Sequence, residues 1–225
     1  MKKIKPSFKK QKYLVIRKAI SKDLALFGFN YLNIRKQTLE TLKQRRLISP
    51  FEEMFGTQGD SQVPLTETYC VYGDTFMETL LIKLLPLMEE KTGLSLIPTY
   101  SYARLYSYGS ILDRHKDRVS CAVSTTLNLG GDPWPIYLSP DENVGIAEEN
   151  GGEKGITNVS NTKGIKINLK PGDMLVYSGC ELEHWREKFE DEECGQVFLH
   201  YNESSNSQNI FDGRPHVGFP AKRSS

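Results

Sequence analysis

The chain has 225 residues, with 29 Lys and Arg against 28 Asp and Glu, so its formal net charge is +1. Apolar residues make up 38% and charged residues 25%, which is typical of a globular protein with its own core. No apolar run approaches the length of a membrane span, and the four cysteines show no CxxC spacing. We therefore expect a reduced, cytoplasmic protein without a membrane partner.

The basic residues are unevenly distributed. Residues 1–18 hold eight Lys and Arg and no acidic residue, and no apolar stretch follows that would indicate a signal peptide. We predict a basic N-terminal arm over residues 1–18, ending in an edge strand at Tyr13 to Ile16. Such an arm is either a solvated terminus or a contact for an acidic partner, and we favour the first; nucleic acid is not an expected partner.

Two helices are predicted in the first half of the chain. Ser21 is the expected N-cap of the first helix, which continues to Arg46. Thr75 and Glu78 form an expected capping box for the second helix, which Pro86 should kink or split and Gly93 should end. Residues 49–73 between the helices look irregular. The apolar face of the first helix is predicted at Leu24, Phe27, Tyr31 and Ile34.

Strand patterns dominate after Gly93. Residues 140–164 are rich in Gly, Asn and Glu and read as a surface insertion. Helices at the front and many short strands behind predict an α+β fold, a double-sheet roll backed by N-terminal helices. We expect one domain over residues 19–225, with helical support at 19–94, a β core at 95–203 and a tail at 204–225. The strands are predicted at 95–108, 119–129, 135–138, 165–169, 174–177 and 196–201.

Three residues stand out as metal ligands. His115 and Asp117 follow a predicted strand and lie two residues apart, so both side chains project to the same side. His184 follows the strand at 174–177, which the tight turn Pro171 to Asp173 introduces. Two histidines and one carboxylate on one face form the facial triad of non-haem Fe(II) oxygenases. The sequence thus predicts His115, Asp117 and His184 as metal ligands and catalytic residues.

These residues carry a family resemblance. Tyr106 to Gly109 (YSYG), then His115 and Asp117, then Lys170 to Tyr177 (KPGDMLVY) and His184 resemble the 2-oxoglutarate/Fe(II)-dependent dioxygenases, in particular their prolyl 4-hydroxylase-like branch. The resemblance covers residues 100–201. It implies a distorted double-stranded β-helix of the jelly-roll or cupin type, with Fe(II) and 2-oxoglutarate inside its mouth.

The resemblance also implies an activity. Fe(II), 2-oxoglutarate as co-substrate, O₂ and ascorbate would support hydroxylation of an unactivated C–H bond. A prolyl residue of a peptide or protein, or a related amino acid, is the implied acceptor. Two other functions stay open at this point. One is a non-catalytic binding module in which His115 and His184 are structural, and the other is a zinc hydrolase that uses the same three ligands and a bound water.

The sequence departs from the family at the anchor for the far carboxylate of 2-oxoglutarate. The family carries Lys or Arg nine to eleven residues after the second histidine, where this chain has Glu193, Cys194 and Gly195. An unpaired buried carboxylate is costly, and Arg binds carboxylates bidentately.

Strand alternation supplies two candidate arginines for the anchor. It places Arg104 beside Tyr106, whose position in the motif implies contact with the co-substrate, and Arg186 beside His184. We predict Arg186 or Arg104, assisted by Tyr106, ahead of Gln196 or His200. The alternative is that both arginines lie in surface ion pairs.

Overall fold

The computed structural model describes residues 7–145, 160–205 and 207–219. The helices of this part are α1 (Phe8–Gln11), α2 (Lys22–Gln44) and α3 (Thr75–Thr92), with short 3₁₀ turns at Val119–Cys121 and Ser207–Gly213. The strands are β1 (Tyr13–Ile16), β2 (Thr57–Gln58), β3 (Tyr69–Tyr72), β4 (Leu96–Ser107), β5 (Leu112–His115), β6 (Val123–Gly131), β7 (Ile136–Leu138), β8 (Ile165–Ile167), β9 (Met174–Tyr177), β10 (His184–Arg186) and β11 (Glu193–Glu203).

The strands form two antiparallel sheets. The larger sheet has the order β1-β9-β6-β11-β4-β3-β2, and the smaller has the order β5-β10-β7-β8. Neighbours that are distant in sequence, such as β5 and β10, pair because the chain winds back and forth between the two sheets. This is the α+β double-stranded β-helix that the sequence predicts.

Side-chain alternation along β11 separates the two cores. Val197 and Leu199 join the apolar cluster that the helices form with the outer face of the larger sheet. Phe198 belongs to a second cluster between the two sheets. Because successive side chains of a strand point to opposite faces, one strand contributes to the helix-backed core and to the interior of the roll. The interior is where the candidate ligands lie.

The first predicted helix is correct in place and half correct in its apolar face, since Leu24 and Tyr31 pack against the core. Ser21 caps α2, since its Oγ accepts a hydrogen bond from the N–H of Leu24 at 3.2 Å. Phe27 and Ile34, expected to be buried, are 61% and 64% exposed. A Cβ on Gly28 would lie 3.2 Å from Phe76. The helix approaches α3 and the sheet closely at Gly28, and its buried face is turned away from Phe27 and Ile34. The buried positions are Ala25, Gly28, Leu32 and Leu39.

The predicted capping box of the second helix is wrong. The N-cap of α3 is Asp74, whose carboxylate accepts from the N–H groups of Phe76 and Met77. Glu78 turns inward and forms a buried ion pair with Arg214 at 2.6 Å, so it is not available to close a box. The helix also runs unsplit through Pro86 and ends at Gly93, where φ is +69°.

Residues 49–73 are predicted to be irregular, but this segment contains β2 and β3. β3 pairs with β4 in the larger sheet, with Val71 opposite Ala103. A four-residue strand of this kind depends on a partner thirty residues later, which no local pattern shows. The 119–129 strand likewise begins with a 3₁₀ turn and continues to Gly131.

Other predicted features have mixed outcomes. The edge strand at Tyr13 to Ile16 is confirmed as β1, which pairs with β9. Most of the 140–164 insertion lies outside the described residues, since they omit 146–159. None of the helices in the described part of the chain has the length and apolar character that crossing a bilayer would require.

Candidate metal centre

The pairing of β5 with β10 brings the two predicted histidine ligands together. His115 ends β5, His184 begins β10, and the two are opposite each other in the antiparallel register. Opposite residues share a sheet face, and their ring centroids lie 4.2 Å apart. The N–H of Asp117 donates to the carbonyl of Gly179 at 2.9 Å, which holds the third candidate beside them. Oδ1 of Asp117 lies 3.6 Å from Nε2 of His115 and 3.5 Å from Nε2 of His184.

Backbone carbonyls orient both imidazoles. Nδ1 of His115 lies 2.7 Å from the carbonyl oxygen of Asp113, and Nδ1 of His184 lies 3.0 Å from that of Leu182. A carbonyl only accepts, so each Nδ1 must carry the proton, and in the neutral ring Nε2 keeps its lone pair. Both lone pairs therefore lie on the side of Asp117, which is the tautomer that a metal ligand requires.

Asp117 is held by a neighbouring strand. Its Oδ2 accepts a hydrogen bond from Oγ of Ser124 on β6 at 2.6 Å, which leaves Oδ1 for the histidine side. Burial raises the pKa of Asp117, but positive charge on His184 and His115, present when their Nε2 atoms are protonated, outweighs it and holds this pKa well below its ordinary value. A bound metal cation in place of those protons would favour the ionised carboxylate in the same way. The carboxylate is thus ionised and fixed in orientation, as a ligand must be.

Gly179 leaves room for this arrangement. A Cβ at this position would lie 2.2 Å from Oδ2 of Asp117, 2.4 Å from Oγ of Ser124 and 2.8 Å from the carbonyl of Cys121. Any side chain would displace the carboxylate or its serine partner. A glycine is required at this position because a side chain would not fit, and no sequence pattern predicts such a requirement.

The donor set fits a divalent transition metal. The three ligand atoms lie within 4.8 Å of one another, and within the described residues this cluster consists of two imidazoles and one carboxylate. Three ligands on one side leave coordination positions toward the cavity, as a facial triad for Fe(II) does. The same donors are compatible with Zn²⁺. The reaction at the open coordination positions, and not the ligand set, therefore distinguishes an iron site from a zinc site.

The three candidate ligands line a cavity of about 560 Å³, a size that suits small molecules. Two groups of mutually contacting residues form its sides. We call Asp60, Tyr102, Arg104 and Phe198 the Arg104 wall. We call Tyr72, Tyr100, Arg118 and His200 the Arg118 wall.

Arg104, one predicted anchor, already has a carboxylate partner. Its Nη2 lies 2.7 Å from Oδ2 of Asp60, its Nε donates to the same oxygen, and its Nη1 donates to the hydroxyl of Tyr106 at 3.2 Å. Burial opposes the charge, yet the contacts with Tyr106 and Asp60 raise the pKa of Arg104 well above its ordinary value. Arg104 therefore lines the cavity as a protonated arginine whose charge is balanced by Asp60.

Arg186, the other predicted anchor, lies inside the roll without an acidic partner among the described residues. It is 1% exposed, and Arg104 is 6% exposed, so the alternative of surface ion pairs is wrong for both. Arg186 donates to the carbonyl of Trp134 and to Oγ1 of Thr126, while its Nε has no hydrogen-bond partner. Burial lowers its pKa. Arg186 is thus a desolvated cation without a carboxylate partner in the described part of the chain, and unlike Arg104 it is not one of the residues that line the cavity.

The two lower-ranked candidates for the anchor serve other contacts. Gln196 accepts from Thr126 and donates to the sulfur of Cys194. His200 belongs to the Arg118 wall, and its Nδ1 lies 3.1 Å from Oγ of Ser124. Neither residue offers a free cation.

Sequence reasoning missed three residues that shape the site. Ser124 orients Asp117, Gly179 makes space for it, and Asp212 pairs with Arg118 of the cavity at 2.8 Å. Ser124 is an ordinary strand serine by pattern, and Asp212 lies in a Gly- and Pro-rich tail without periodicity. Gly179 lies in the turn between β9 and His184, where a glycine is common and does not by itself indicate a role in the site.

Comparison with known proteins places the fold. No family model and no curated protein matches the sequence. Solved structures do match, and their shared class is the 2-oxoglutarate/Fe(II) oxygenase fold, a double-stranded β-helix.

Three of these structures illustrate the likeness. A Pseudomonas putida prolyl-4-hydroxylase is 14% identical with a TM-score of 0.55, covering 87% of this chain and 95% of its own. The α-ketoglutarate-dependent carbocyclase SnoK from nogalamycin biosynthesis is 12% identical with a TM-score of 0.61, covering 96% and 91%. HygX from Streptomyces hygroscopicus, with nickel and 2-oxoglutarate bound, is 14% identical with a TM-score of 0.55, covering 88% and 85%. The family resemblance of the sequence is thus confirmed at the level of the fold.

Proposed function

We propose that this protein is an Fe(II)- and 2-oxoglutarate-dependent dioxygenase that hydroxylates an unactivated C–H bond. The observation that carries the proposal is the convergence of two Nε2 atoms and one carboxylate oxygen on a single point beside a cavity. The balanced reaction takes a C–H substrate, O₂ and 2-oxoglutarate to the alcohol, succinate and CO₂.

His115, Asp117 and His184 would hold the metal. Bound Fe(II) with 2-oxoglutarate supplies the oxidising power for C–H hydroxylation, which no protein side chain provides. The chain's own work is to present neutral imidazoles and an ionised carboxylate. The carbonyls of Asp113 and Leu182 fix the ring tautomers. HygX, which binds nickel and 2-oxoglutarate, supports the assignment through its shared fold.

Arg186 is the preferred anchor for the far carboxylate of 2-oxoglutarate, with Arg104 and Tyr106 as the neighbouring groups. A buried arginine with an unpaired Nε is an unsatisfied anion receptor, whereas Arg104 is already satisfied by Asp60. Tyr106 connects the two arginines. Its hydroxyl accepts a hydrogen bond from Arg104, and its ring packs on Trp134, whose carbonyl accepts a hydrogen bond from Arg186.

The acceptor we propose is a prolyl residue of a peptide or protein, or a related amino acid. The prolyl 4-hydroxylase-like motif in the sequence and the fold shared with the P. putida prolyl-4-hydroxylase support this choice. O₂ is the required oxidant, and ascorbate is expected to maintain the metal in its reduced state. Residues 19–225 would form the single oxygenase domain.

The test combines metal binding with co-substrate turnover. Wild-type protein, Asp117→Ala and Asp191→Ala, a control at an exposed carboxylate, are titrated with Fe(II) without oxygen and then assayed for succinate with O₂, 2-oxoglutarate and ascorbate. We expect wild type and the control to bind one Fe(II) and form succinate, and Asp117→Ala to do neither while keeping its circular dichroism spectrum.

The same assay separates the alternatives. If the protein binds metal but consumes no 2-oxoglutarate with any substrate tested, the result would favour a zinc hydrolase. Wild-type protein that binds no metal would favour a binding module. Either result would end the oxygenase proposal.

A further inference from the structure

The Arg118 wall is a recognition surface that the metal chemistry does not account for. Arg118 directly follows the ligand Asp117, and its guanidinium lies 4.8 Å above the ring of Tyr100. The same ring stacks on Tyr72 at 5.1 Å and contacts His200 at 4.5 Å between centroids. Because all of these residues line the cavity, a cation and an imidazole share one aromatic support there.

Arg118 is a cation that the protein positions and only partly neutralises. Its Nη2 donates to Oδ2 of Asp212 at 2.8 Å, and its side chain remains 36% exposed. A guanidinium carries five N–H donors in a rigid fork, so one carboxylate leaves further donors for a second. Stacking on Tyr100 fixes the plane of the fork.

The C-terminal segment is built to place Asp212 against Arg118. Phe211 and Asp212 both have left-handed backbones, with φ of 52° and 56°, which L-residues adopt only at a cost. Arg214 compensates, because it ion-pairs with buried Glu78 at 2.6 Å and donates from Nε to the carbonyl of Phe211. The hydroxyl of Tyr72 also donates to Asp212 at 2.7 Å. The hydrogen bonds from Arg214 and Tyr72 thus hold Asp212 in place, and Asp212 in turn orients Arg118.

His200 offers an acceptor beside this cation. Ser124 has one hydroxyl hydrogen, and its shortest contact is to the carboxylate of Asp117, which only accepts. Nδ1 of His200 must therefore donate to Oγ of Ser124, and its Nε2 keeps a lone pair. The wall thus presents a guanidinium donor and an imidazole acceptor on one side of the cavity.

We propose that the primary substrate is a small free carboxylic acid that also carries an N–H or O–H donor, an α-amino acid in its simplest form. Its carboxylate pairs with Arg118, its donor faces Nε2 of His200, and Asp212 is the positioning residue for Arg118. The inference rests on the proposed oxygenase function, which it sharpens by choosing a free acid over a prolyl residue within a chain. A peptide-bound residue has no free carboxylate to offer to Arg118.

The test measures binding without turnover. Ni²⁺-loaded protein with 2-oxoglutarate is titrated calorimetrically with the twenty standard L-amino acids and with the carboxamide of each binder. We expect at least one acid to bind roughly ten to one hundred times more tightly than its amide, which is the range for a charge-assisted hydrogen bond. No binding by any acid, or equal affinity for acid and amide, would overturn the proposal.

Variants assign the preference to Arg118. Arg118→Gln should bring the acid-to-amide affinity ratio close to one, and Asp212→Asn, which keeps the cation but loosens its position, should lower the ratio by a smaller factor. Arg17→Gln is the matched control, since it removes an ion pair with Asp173 of similar length outside the cavity and should leave the ratio unchanged. A preference that persists in Arg118→Gln contradicts the proposal.

These outcomes are separable from failure of the oxygenase function. The ratio compares two ligands on one protein, so loss of stability in a variant does not imitate it. Failure of the proposed function would appear as metal-loaded protein that forms no succinate, whatever the acid preference.

Discussion

Arg104 and Arg186 are both buried, but they lie on different sheets and have different surroundings. Strand alternation predicted both as anchors for 2-oxoglutarate, and both lie near Tyr106. Arg104 on β4 meets the carboxylate of Asp60, the amide of Gln62 and the ring of Tyr102. Arg186 on β10 meets a carbonyl, a threonine hydroxyl and the ring of Trp134. One cation is satisfied within the fold, and the other is not.

The difference indicates separate roles. A buried ion pair that is hydrogen-bonded on both sides is a structural element, and its removal is felt as lost stability. A buried charge without an opposite charge costs stability and persists where a ligand supplies the missing partner. We therefore expect changes at Arg104 to affect folding first and changes at Arg186 to affect co-substrate binding first.

The largest expected effect is the loss of stability in Arg104→Met. The variant leaves Asp60 buried without its cation, and breaking one partner of a buried pair costs about 3–5 kcal/mol. Chemical denaturation of wild type, Arg104→Met, Asp60→Asn and the double variant measures this. The double variant should be more stable than the sum of the single effects predicts. Additive losses would show that the pair is not coupled.

Arg186→Met should have the opposite profile. Removing a charge-assisted contact to 2-oxoglutarate costs about 1.5–3 kcal/mol, so the KM for 2-oxoglutarate should rise roughly 10- to 100-fold. The free energy of unfolding should stay the same or increase, because the desolvated charge disappears. Arg186→Lys, which keeps the charge but not the fork, should lie between. An unchanged KM together with a marked loss of stability would make Arg186 structural.

The three candidate ligands, whose metal binding stays a prediction, could be selected from the sequence because they follow local rules. His115 and Asp117 are two residues apart beyond a strand, and His184 follows a strand with a clear turn before it. What joins them is the β5–β10 register, which the family resemblance implied and no periodicity shows. The apolar face of α2 was only half correct because large apolar residues were taken as the signal, whereas the buried face also runs through the small residues Ala25 and Gly28. The ion pairs of Asp60 and Asp212 could not be predicted, because each aspartate lies in a segment without a periodic sequence pattern.

The stability contribution of the Asp60–Arg104 pair should depend on pH. Burial raises the pKa of Asp60, but Arg104, the N–H of Gln62 and Tyr102 outweigh it and lower this pKa below 3.8. The native state thus favours the ionised form, so the stabilisation is complete above the unfolded pKa and is lost as the pH falls through the lowered native pKa. Unfolding of wild type and Asp60→Asn from pH 3 to 7 measures it. Their difference should be constant near neutrality and shrink below about pH 4.

The smallest expected effect belongs to Tyr106→Phe, which removes one hydroxyl between the two arginines. That hydroxyl accepts from Nη1 of Arg104 at 3.2 Å, a long contact, while the ring remains packed edge-on against Trp134 at 4.7 Å. A net hydrogen bond is worth about 1 kcal/mol, so direct contact with the co-substrate should raise its KM by roughly fivefold with kcat little changed. Tyr102→Phe, which removes a neighbouring hydroxyl bonded to Asp60, is the matched control and should leave this KM unchanged. If the two variants raise the KM equally, the effect travels through the Asp60–Arg104 pair and Tyr106 does not contact 2-oxoglutarate.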